Sequence, residues 1–425
     1  MASKIQSVKG TREFYPEQMF LRNFIYEKVR AASQAFGYQE WDAPFIETID
    51  LYAAKSGEEL VKKQSFTFQD RGGDFVTLRP ELTPSLARMI AAKQGELTFP
   101  LRWWSFGPFW RYEQPQKGRS REFFQWNIDM LGVDSPLVDA ELIAVAATFL
   151  RSVGLNPQLA SIYVNNRQLM ESEFDALGIV PEKRLDVSNL VDRRSKMEPV
   201  KWDAYALELG LTQTQVDGLK NVLGNFDLWK KSDELVRLFA ALEALGVKEY
   251  VKFDPNIMRG LLYYTCTVFE AFETSGSLKR AILGGGRYDN LLADVGGQPL
   301  PAVGFAMGDV VMGIILQENG LLPEFVPTPA SVLVTVFDEN MWMKSFELAA
   351  QLRNAGLNVM VYPEPVKLQK QFKFADKMKI KIVLTVGPDE AANDQVAVKN
   401  LVNGEQVTVK REAVVEFIRK ILARV

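Results

Sequence analysis

Two runs with strand character, Leu101–Tyr112 and Phe123–Leu131, constrain this chain more than any other stretch. Apolar and polar residues roughly alternate in both, and the polar connection holds proline and glycine, which predicts an antiparallel hairpin. Side chains repeat every two residues along a strand, so Gln125 and Asp129 share one face of the second run. Arg111 and Glu113 end the first run, and Gln116, Lys117, Gly118, Arg119 and Arg121 occupy the turn. Guanidiniums at the mouth of a hairpin, with amide and carboxylate on its floor, suit a polyphosphate lying over a small zwitterion. The same residues equally describe an ordinary half-buried hairpin with a solvated basic turn.

What surrounds the hairpin limits its chemistry. The chain has 425 residues, 47% of them hydrophobic, room for about two or three domains with real cores. Its formal charge of −3 argues against nucleic-acid binding by bulk electrostatics and leaves local patches open. There is no histidine at all, which removes Ser-His-Asp and Cys-His catalysis, histidine-ligated zinc and imidazole bases. Any catalysis must run on arginines, carboxylates, backbone dipoles and a magnesium ion if one is bound. The lone cysteine, Cys266, excludes an intramolecular disulfide, fits a reducing cytosol and reads as a packed, weakly nucleophilic thiol. The opening residues lack an apolar signal region and no apolar run is long enough to span a bilayer, so a cytoplasmic protein without a membrane partner is expected.

In chain order, Lys9 to Pro16 is a turn-rich opening, and the spacing predicts a helix from Pro16 to about Phe36 that Gly37 stops. A strand is expected over Tyr38–Ile46, carrying Pro44. A hairpin follows over Phe66–Leu78, turning at residues 70–74. Then comes a helix over Ser85–Lys93, with Thr83 as its cap and Pro84 in its first position. After the main hairpin come a helix over Pro136–Val153 and a strand around Ser161–Val164. Residues 168–245 read as charged and helical, an inserted helical domain. Strands resume at Tyr263–Phe272 and Ala281–Leu283, and the triplet Gly284-Gly285-Gly286 lets backbone approach something closely. An apolar segment, Pro301–Leu316, enters a helix. A proline-rich linker ends near Pro329, and beyond it strands alternate with helices, predicting a small α/β domain with a mainly parallel sheet. That last region is net +3, with lysines at 367, 370, 373, 377, 379 and 381; these read as a solvated helix face or as an RNA phosphate contact.

Taken together, these stretches resemble the histidyl-tRNA synthetases, a family of class II aminoacyl-tRNA synthetases, from Lys9 to the C-terminus. Lys9 to Pro16 looks like the family's K-G-T-R opening, and Tyr38–Ile46 with Pro44 like its first class motif, at the dimer interface. Arg111 to Gly132 is similar to the second, R-x-E-x-P-Q-K-G-R-x-R. Met258–Tyr264, MRGLLYY, resembles a histidine-specific R-G-L-D-Y-Y, and Gly284–Asp289 matches G-G-G-R-Y-D. The resemblance implies an α+β catalytic domain with an antiparallel sheet in two parts, 1–170 and 248–320, interrupted by the helical insertion 171–247. It implies a linker at 321–330 and an anticodon-binding α/β domain at 331–425.

By the same resemblance the activity is ATP-dependent attachment of histidine to its tRNA through a histidyl-adenylate, with Mg²⁺ accompanying ATP, in a homodimer. Arg111 is implied on the α-phosphate and substrate carboxylate, with Arg259 on the opposite side; these two are the catalytic candidates. Arg119 is implied on the outer phosphates, and Glu113 and Phe123 beside the adenine. Glu81, Thr83 and Gln125 are implied around the histidine ammonium, and Asp129 with Tyr264 on the imidazole, near Tyr263 and Tyr288. No metal ligand is assigned. The third class motif departs from the family pattern: Gly304–Met312 reads GFAMGDVVM, with Val311 where an arginine for the γ-phosphate is usual. A replacement cation is therefore expected, with Arg287 and Lys117 as candidates. Leu262 replaces the family's Asp in R-G-L-D-Y-Y, and Asp129 replaces a usual Glu. The alternative reading is a synthetase-like, histidine-sensing regulatory subunit, with an RNA-binding regulator as a third.

Overall fold

The two runs form the hairpin at the centre of an eight-stranded sheet. The computed structural model describes residues 5–53, 64–258, 264–275, 280–290 and 292–423. By contact the chain divides into two units, Met1–Leu322 and Pro323–Val425.

In the first unit, α1 (Pro16–Ala35) leads to β1 (Gln39–Glu40), β2 (Ile46–Thr48) and α2 (Ile49–Ala53). Then come β3 (Phe66–Gln69), β4 (Phe75–Leu78), α3 (Thr83–Lys93) and the hairpin strands β5 (Leu101–Trp110) and β6 (Glu122–Leu131). Next are α4 (Pro136–Ser152), β7 (Ala160–Asn166) and the helices α5 (Arg167–Ala176), α6 (Arg184–Asp192), α7 (Pro199–Glu208), α8 (Gln213–Leu223) and α9 (Asp233–Ala244). Finally β8 (Val251–Phe253), β9 (Thr267–Glu273), β10 (Leu283–Arg287) and β11 (Ala302–Gly308) run into α10 (Asp309–Glu318). The large sheet has the order β1-β5-β6-β11-β10-β9-β7-β8. Its six inner strands are antiparallel to their neighbours, and β1 and β8 add parallel edges.

Alternation along β6 sorts the two faces. Trp126, Ile128 and Met130 join Ile25, Val29 and the apolar side of α4 in the main core. Phe123, Gln125, Asn127 and Asp129 point the other way, toward a smaller cluster of Leu86, Ile90, Tyr264 and Tyr288. The polar face is thus the floor of a concavity, and the apolar face anchors it: Trp104 and Trp126 are fully buried. Each such side chain contributes roughly 2–3 kcal/mol of transfer free energy.

Two expectations change. Residues 38–46 are not one strand: β1 pairs with β5, while β2 joins the separate sheet β2-β4-β3. Between them Asp42 and the Ala43 carbonyl turn to the buried guanidinium of Arg79, whose Nη1 donates to them at 2.5 and 2.9 Å. The Gly284–Gly286 triplet does not follow a strand; it lies inside β10, between β9 and β11. A Cβ on Gly285 would overlap the Gly304 carbonyl, so the close approach is to neighbouring backbone.

The second unit holds β12 (Val332–Val334), α11 (Trp342–Asn354), β13 (Val359–Val361), α12 (Leu368–Lys377), β14 (Ile382–Thr385) and α13 (Pro388–Ala392). It ends with β15 (Gln395–Asn400), β16 (Gln406–Lys410) and α14 (Val414–Leu422). The sheet order is β13-β12-β14-β15-β16. The expected parallel sheet is mixed, because the β15–β16 hairpin adds antiparallel pairings to a β12-centred parallel half. Both faces are covered: Val332 and Val334 face one core and Leu333 the other. Buried Gln371 ties α12 down by accepting from Val336 N at 2.9 Å and donating to the Val336 and Val366 carbonyls at 2.8 and 2.7 Å.

Arg79 is fully buried and held by Asp42, by the Ala43 and Pro108 carbonyls, and between the Phe45 and Phe109 rings at 4.6 and 4.7 Å. Arg79→Ala leaves a cavity and two unpaired carbonyls, and is expected to destabilise the first unit by about 3 kcal/mol or more. Urea unfolding followed by tryptophan fluorescence checks this, and a midpoint equal to that of the parent chain refutes it.

Candidate active site

At the tip of the hairpin, Gln116 and Arg119 close the turn with reciprocal backbone bonds of 3.0 and 2.8 Å. Gly118 lies between them at φ +77°, a conformation that strains residues with a Cβ. The N-terminal opening braces this turn. Arg121 and Glu122 amides both donate to the Gly10 carbonyl, at 2.9 and 3.2 Å. The Arg121 side chain donates to the Glu113 and Lys9 carbonyls and lies 4.0 Å over the Tyr112 ring.

A second brace escaped the sequence reading. Arg12 makes a two-pronged ion pair with Asp309, at 3.1 and 2.9 Å, and Asp309 also accepts from the Phe124 amide at 2.9 Å. Burial raises the Asp309 carboxyl above its usual range while the Arg12 guanidinium opposes the shift. The available signal was a carboxylate opening α10 ahead of the apolar run 310–316.

Arg111 donates from Nε to the Pro80 carbonyl at 2.9 Å and lies 5.3 Å over the Phe123 ring. Its terminal nitrogens have no hydrogen-bond partner among the described residues. Arg111 lines a cavity of about 120 Å³ with Glu113, Gly118, Arg119, Phe123 and Val311. Arg119 forms an ion pair with Glu113 there, Nε to Oε2 at 2.5 Å, without hydrogen-bond geometry. Every described residue expected near ATP therefore borders one cavity.

The floor lies further along β6. Asp129 is buried and takes a 2.5 Å hydrogen bond from the Tyr288 hydroxyl. Burial pushes its carboxyl up to about 7, against the opposing pull of that bond. Gly304 is its register partner in β11, and a Cβ there would overlap the carboxylate. Gly286 does the same for Tyr264, whose ring lies 2.8 Å from where a Cβ would stand. Asp129, Tyr264 and Tyr288 are thus gathered in one pocket, and glycines in β10 and β11 make room for them. Gln125, half-buried, lies on the same face of β6 between that pocket and the cavity. Glu81 follows the carbonyl that Arg111 holds. Thr83 is the first residue of α3 and not its cap; Leu82 caps it without a side-chain bond. Arg259 and Tyr263 lie outside the described residues.

Neither expected replacement for the third-motif arginine is available. Arg287, 2% exposed, is committed to Asp139 at 2.5 Å and to the Val133 and Ser135 carbonyls at 3.1 Å. Lys117 points outward to Glu318 at 2.8 Å. Cys266 is the packed thiol expected, buried and pushed up to about 12 by desolvation.

Residues 10–309 match the family model for histidyl-tRNA synthetase, and 330–421 the model for an anticodon binding domain. The chain belongs to the histidyl-tRNA synthetase family. A histidine–tRNA ligase of Opitutus terrae is 38% identical, covering 97% of this chain and 98% of the relative. That of Leptospira biflexa is 34% identical over 99% and 98%. Among solved structures, the histidyl-tRNA synthetase from Nostoc sp. PCC 7120 superposes with a TM-score of 0.85 at 26% identity, covering 98% of this chain and 99% of that one. A Bacillus halodurans chain described as an ATP phosphoribosyltransferase regulatory subunit/histidyl-tRNA synthetase shares the fold alone, at 21% identity and a TM-score of 0.73. The fold expected of the family, an antiparallel catalytic sheet with a separate α/β unit, is the one observed.

The raised Asp129 carboxyl makes stability depend on pH. The unfolded chain releases this proton near 3.8 and the folded chain near 7, so between those values the folded state binds more protons. Its stabilising contribution is complete below the lower value and lost as pH rises through the upper one. Against Asp129→Asn, the parent chain should lose stability across that window by roughly 1.4 kcal/mol per pH unit. Chemical denaturation at several pH values measures the gap; a constant gap contradicts the assignment.

Proposed function

We propose that this chain attaches histidine to its tRNA in two steps. A histidine carboxylate oxygen attacks the α-phosphorus of ATP, the bond to the β-phosphate breaks, and pyrophosphate leaves. A hydroxyl of the tRNA's terminal ribose then attacks the histidyl carbonyl and AMP departs. The observation that supports this reading best is a single concave face with guanidiniums at one end and a buried carboxylate at the other, in a chain of the synthetase family.

Negative charge grows on phosphate oxygens in the first step, so fixed guanidiniums supply most of the stabilisation. Arg111 is preorganised for this: Pro80 and Phe123 fix its plane, and the residue borders the cavity. Arg259 is proposed on the far side of the same phosphate. Phe123 offers a ring to stack on the adenine, and Glu113 an acceptor for its amino group. The Arg119–Glu113 pair has to open for Arg119 to reach the outer phosphates. At the floor, Asp129 and Tyr264 are proposed to read the two ring nitrogens, Tyr288 to orient Asp129, and Glu81, Thr83 and Gln125 to receive the ammonium. An apolar substrate would leave this buried polar set unpaired, which is the source of discrimination. Among the described residues no three carboxylate or thiol groups gather into a metal site. Mg²⁺ is therefore proposed to arrive with ATP, held mainly by phosphate oxygens, and no step is assigned to it.

The proposed division is a catalytic core at 1–170 and 248–320, a helical insertion at 171–247, a linker at 321–330 and a tRNA-reading unit at 331–425. A homodimer is supported by the exposure of Phe45 (46%) and Ile46 (49%) in the stretch resembling the first class motif. No helix among the described residues is long and apolar enough to cross a membrane. A cytosolic setting is proposed with the lone reduced cysteine in view.

Purified protein with Mg²⁺, ATP and histidine should exchange pyrophosphate into ATP, and Arg111→Ala should lower the rate roughly a hundredfold or more. Arg259→Ala should abolish it. Histidine binding without exchange in the parent chain sinks this reading and promotes the sensor. Lys370, Lys373 and Lys377 are exposed along α12. Converting all three to Glu should raise the KM for tRNA and leave pyrophosphate exchange unchanged; an unchanged KM identifies them as a solvated face.

A further inference from the structure

The third class motif leaves one end of the cavity without its cation. Val311 stands at the arginine position, 9% exposed, and borders the cavity with its side chain. Arg287 and Lys117 are engaged elsewhere. A different arginine, from the chain just before β10, lies beside Gly118 at that end of the cavity.

Arg280 precedes β10 by three residues. A Cβ built on Gly118 would lie 3.3 Å from the Arg280 Cδ, 3.8 Å from its Nε and 3.5 Å from the Val311 Cγ2. Three distant pieces of chain therefore meet over one glycine: the hairpin tip, the residue where the cation is missing, and a guanidinium stem. Arg280 is half-buried and forms no ion pair among the described residues. Burial, and then the neighbouring Arg119, make its charged form less favourable than usual, with Glu113 acting against them. Two guanidiniums thus share a single nearby carboxylate, Glu113, which is already ion-paired with Arg119. Positive charge concentrated in this way without compensation is a site for a polyanion.

Resting on the adenylation reading above, we propose that Arg280 takes over the work of the absent third-motif arginine, gripping the β- and γ-phosphates of ATP beside Arg119. The cation has moved from α10 to the start of β10, and the valine it displaced packs against the turn that both arginines flank. Val311 and the Arg280 stem both lie against Gly118, so the two positions act as a complementary pair.

The test is Arg280→Ala, read by nucleotide affinity and by exchange. Calorimetry should show ATP binding weakened roughly ten- to a hundredfold, with AMP binding and the KM for histidine unchanged. Arg280→Lys should recover part of the loss. Adding Val311→Arg to Arg280→Ala should also recover part of it, because that change returns a guanidinium to the same end of the cavity. Equal losses for ATP and AMP, or ATP affinity equal to that of the parent chain, would overturn the proposal. The two ideas separate cleanly. A parent chain that prefers ATP to AMP through Arg280 yet exchanges no pyrophosphate supports the grip and overturns adenylation alone.

Discussion

A fully buried guanidinium holds the catalytic unit together. Arg79 lies between two phenyl rings, ion-paired to Asp42 and bonded to the Ala43 and Pro108 carbonyls. Its backbone is tied on both sides, N–H to the Phe45 carbonyl at 2.9 Å and C=O to the Trp110 amide at 3.1 Å. Withdrawing such a charge from water costs several kcal/mol, offset here by the bonds of Nε and Nη1, by the Asp42 carboxylate and by the packed ring faces. Nη2 is buried without a hydrogen-bond partner among the described residues. Gly107 is part of that arrangement, since a Cβ there would occupy the space of Arg79 Nη2. The consequence reaches the site directly. Pro80, the next residue, offers its carbonyl to Arg111, and Glu81 and Thr83 follow. The segment proposed to meet the substrate ammonium is therefore locked to the end of β5, next to the arginine proposed to meet the phosphate.

Charge is divided along the site. Among the described residues, the mouth collects guanidiniums with the Glu113 carboxylate among them, and the floor holds the Asp129 carboxyl with no cation shifting it. The floor depends on absent side chains: Gly304 and Gly286 leave the space that Asp129 and Tyr264 occupy. Adding even a methyl group at either position would force Asp129 or Tyr264 out of place. Asp129 depends on Tyr288, two residues beyond the triplet, for its only hydrogen bond among those described. A carboxyl raised by burial to about 7 can accept or donate with little free-energy cost, which suits the imidazole contact proposed for it.

Much of this was legible along the chain. The hairpin followed from alternation and its turn residues, α1 and α4 from apolar spacing, and the residues lining the cavity from the motif they compose. Other features depend on pairings between distant segments. The Tyr38–Ile46 stretch looks continuous until Arg79 draws Asp42 and Ala43 aside. The glycine triplet reads as a loop until β9 and β11 close on it from both sides. Arg287, in an otherwise familiar motif, serves as a structural ion pair because Asp139 at the start of α4 lies against it. Arg280 has no sequence signal of its own, because its meaning comes from Gly118 and Val311.

The sequence by itself determined which side chains exist to do chemistry. With no histidine in the chain, arginines and carboxylates had to carry it, and motifs in family order assigned the chain to its fold. The sequence also determined what is lacking, a guanidinium at Val311. Only the tertiary structure decided where a substitute lies, which arginines are already spent in buried pairs, and that Asp129 keeps its proton close to neutral pH. Burial and charge neighbourhood set those properties, and both arise from strands that meet only when the sheet is assembled.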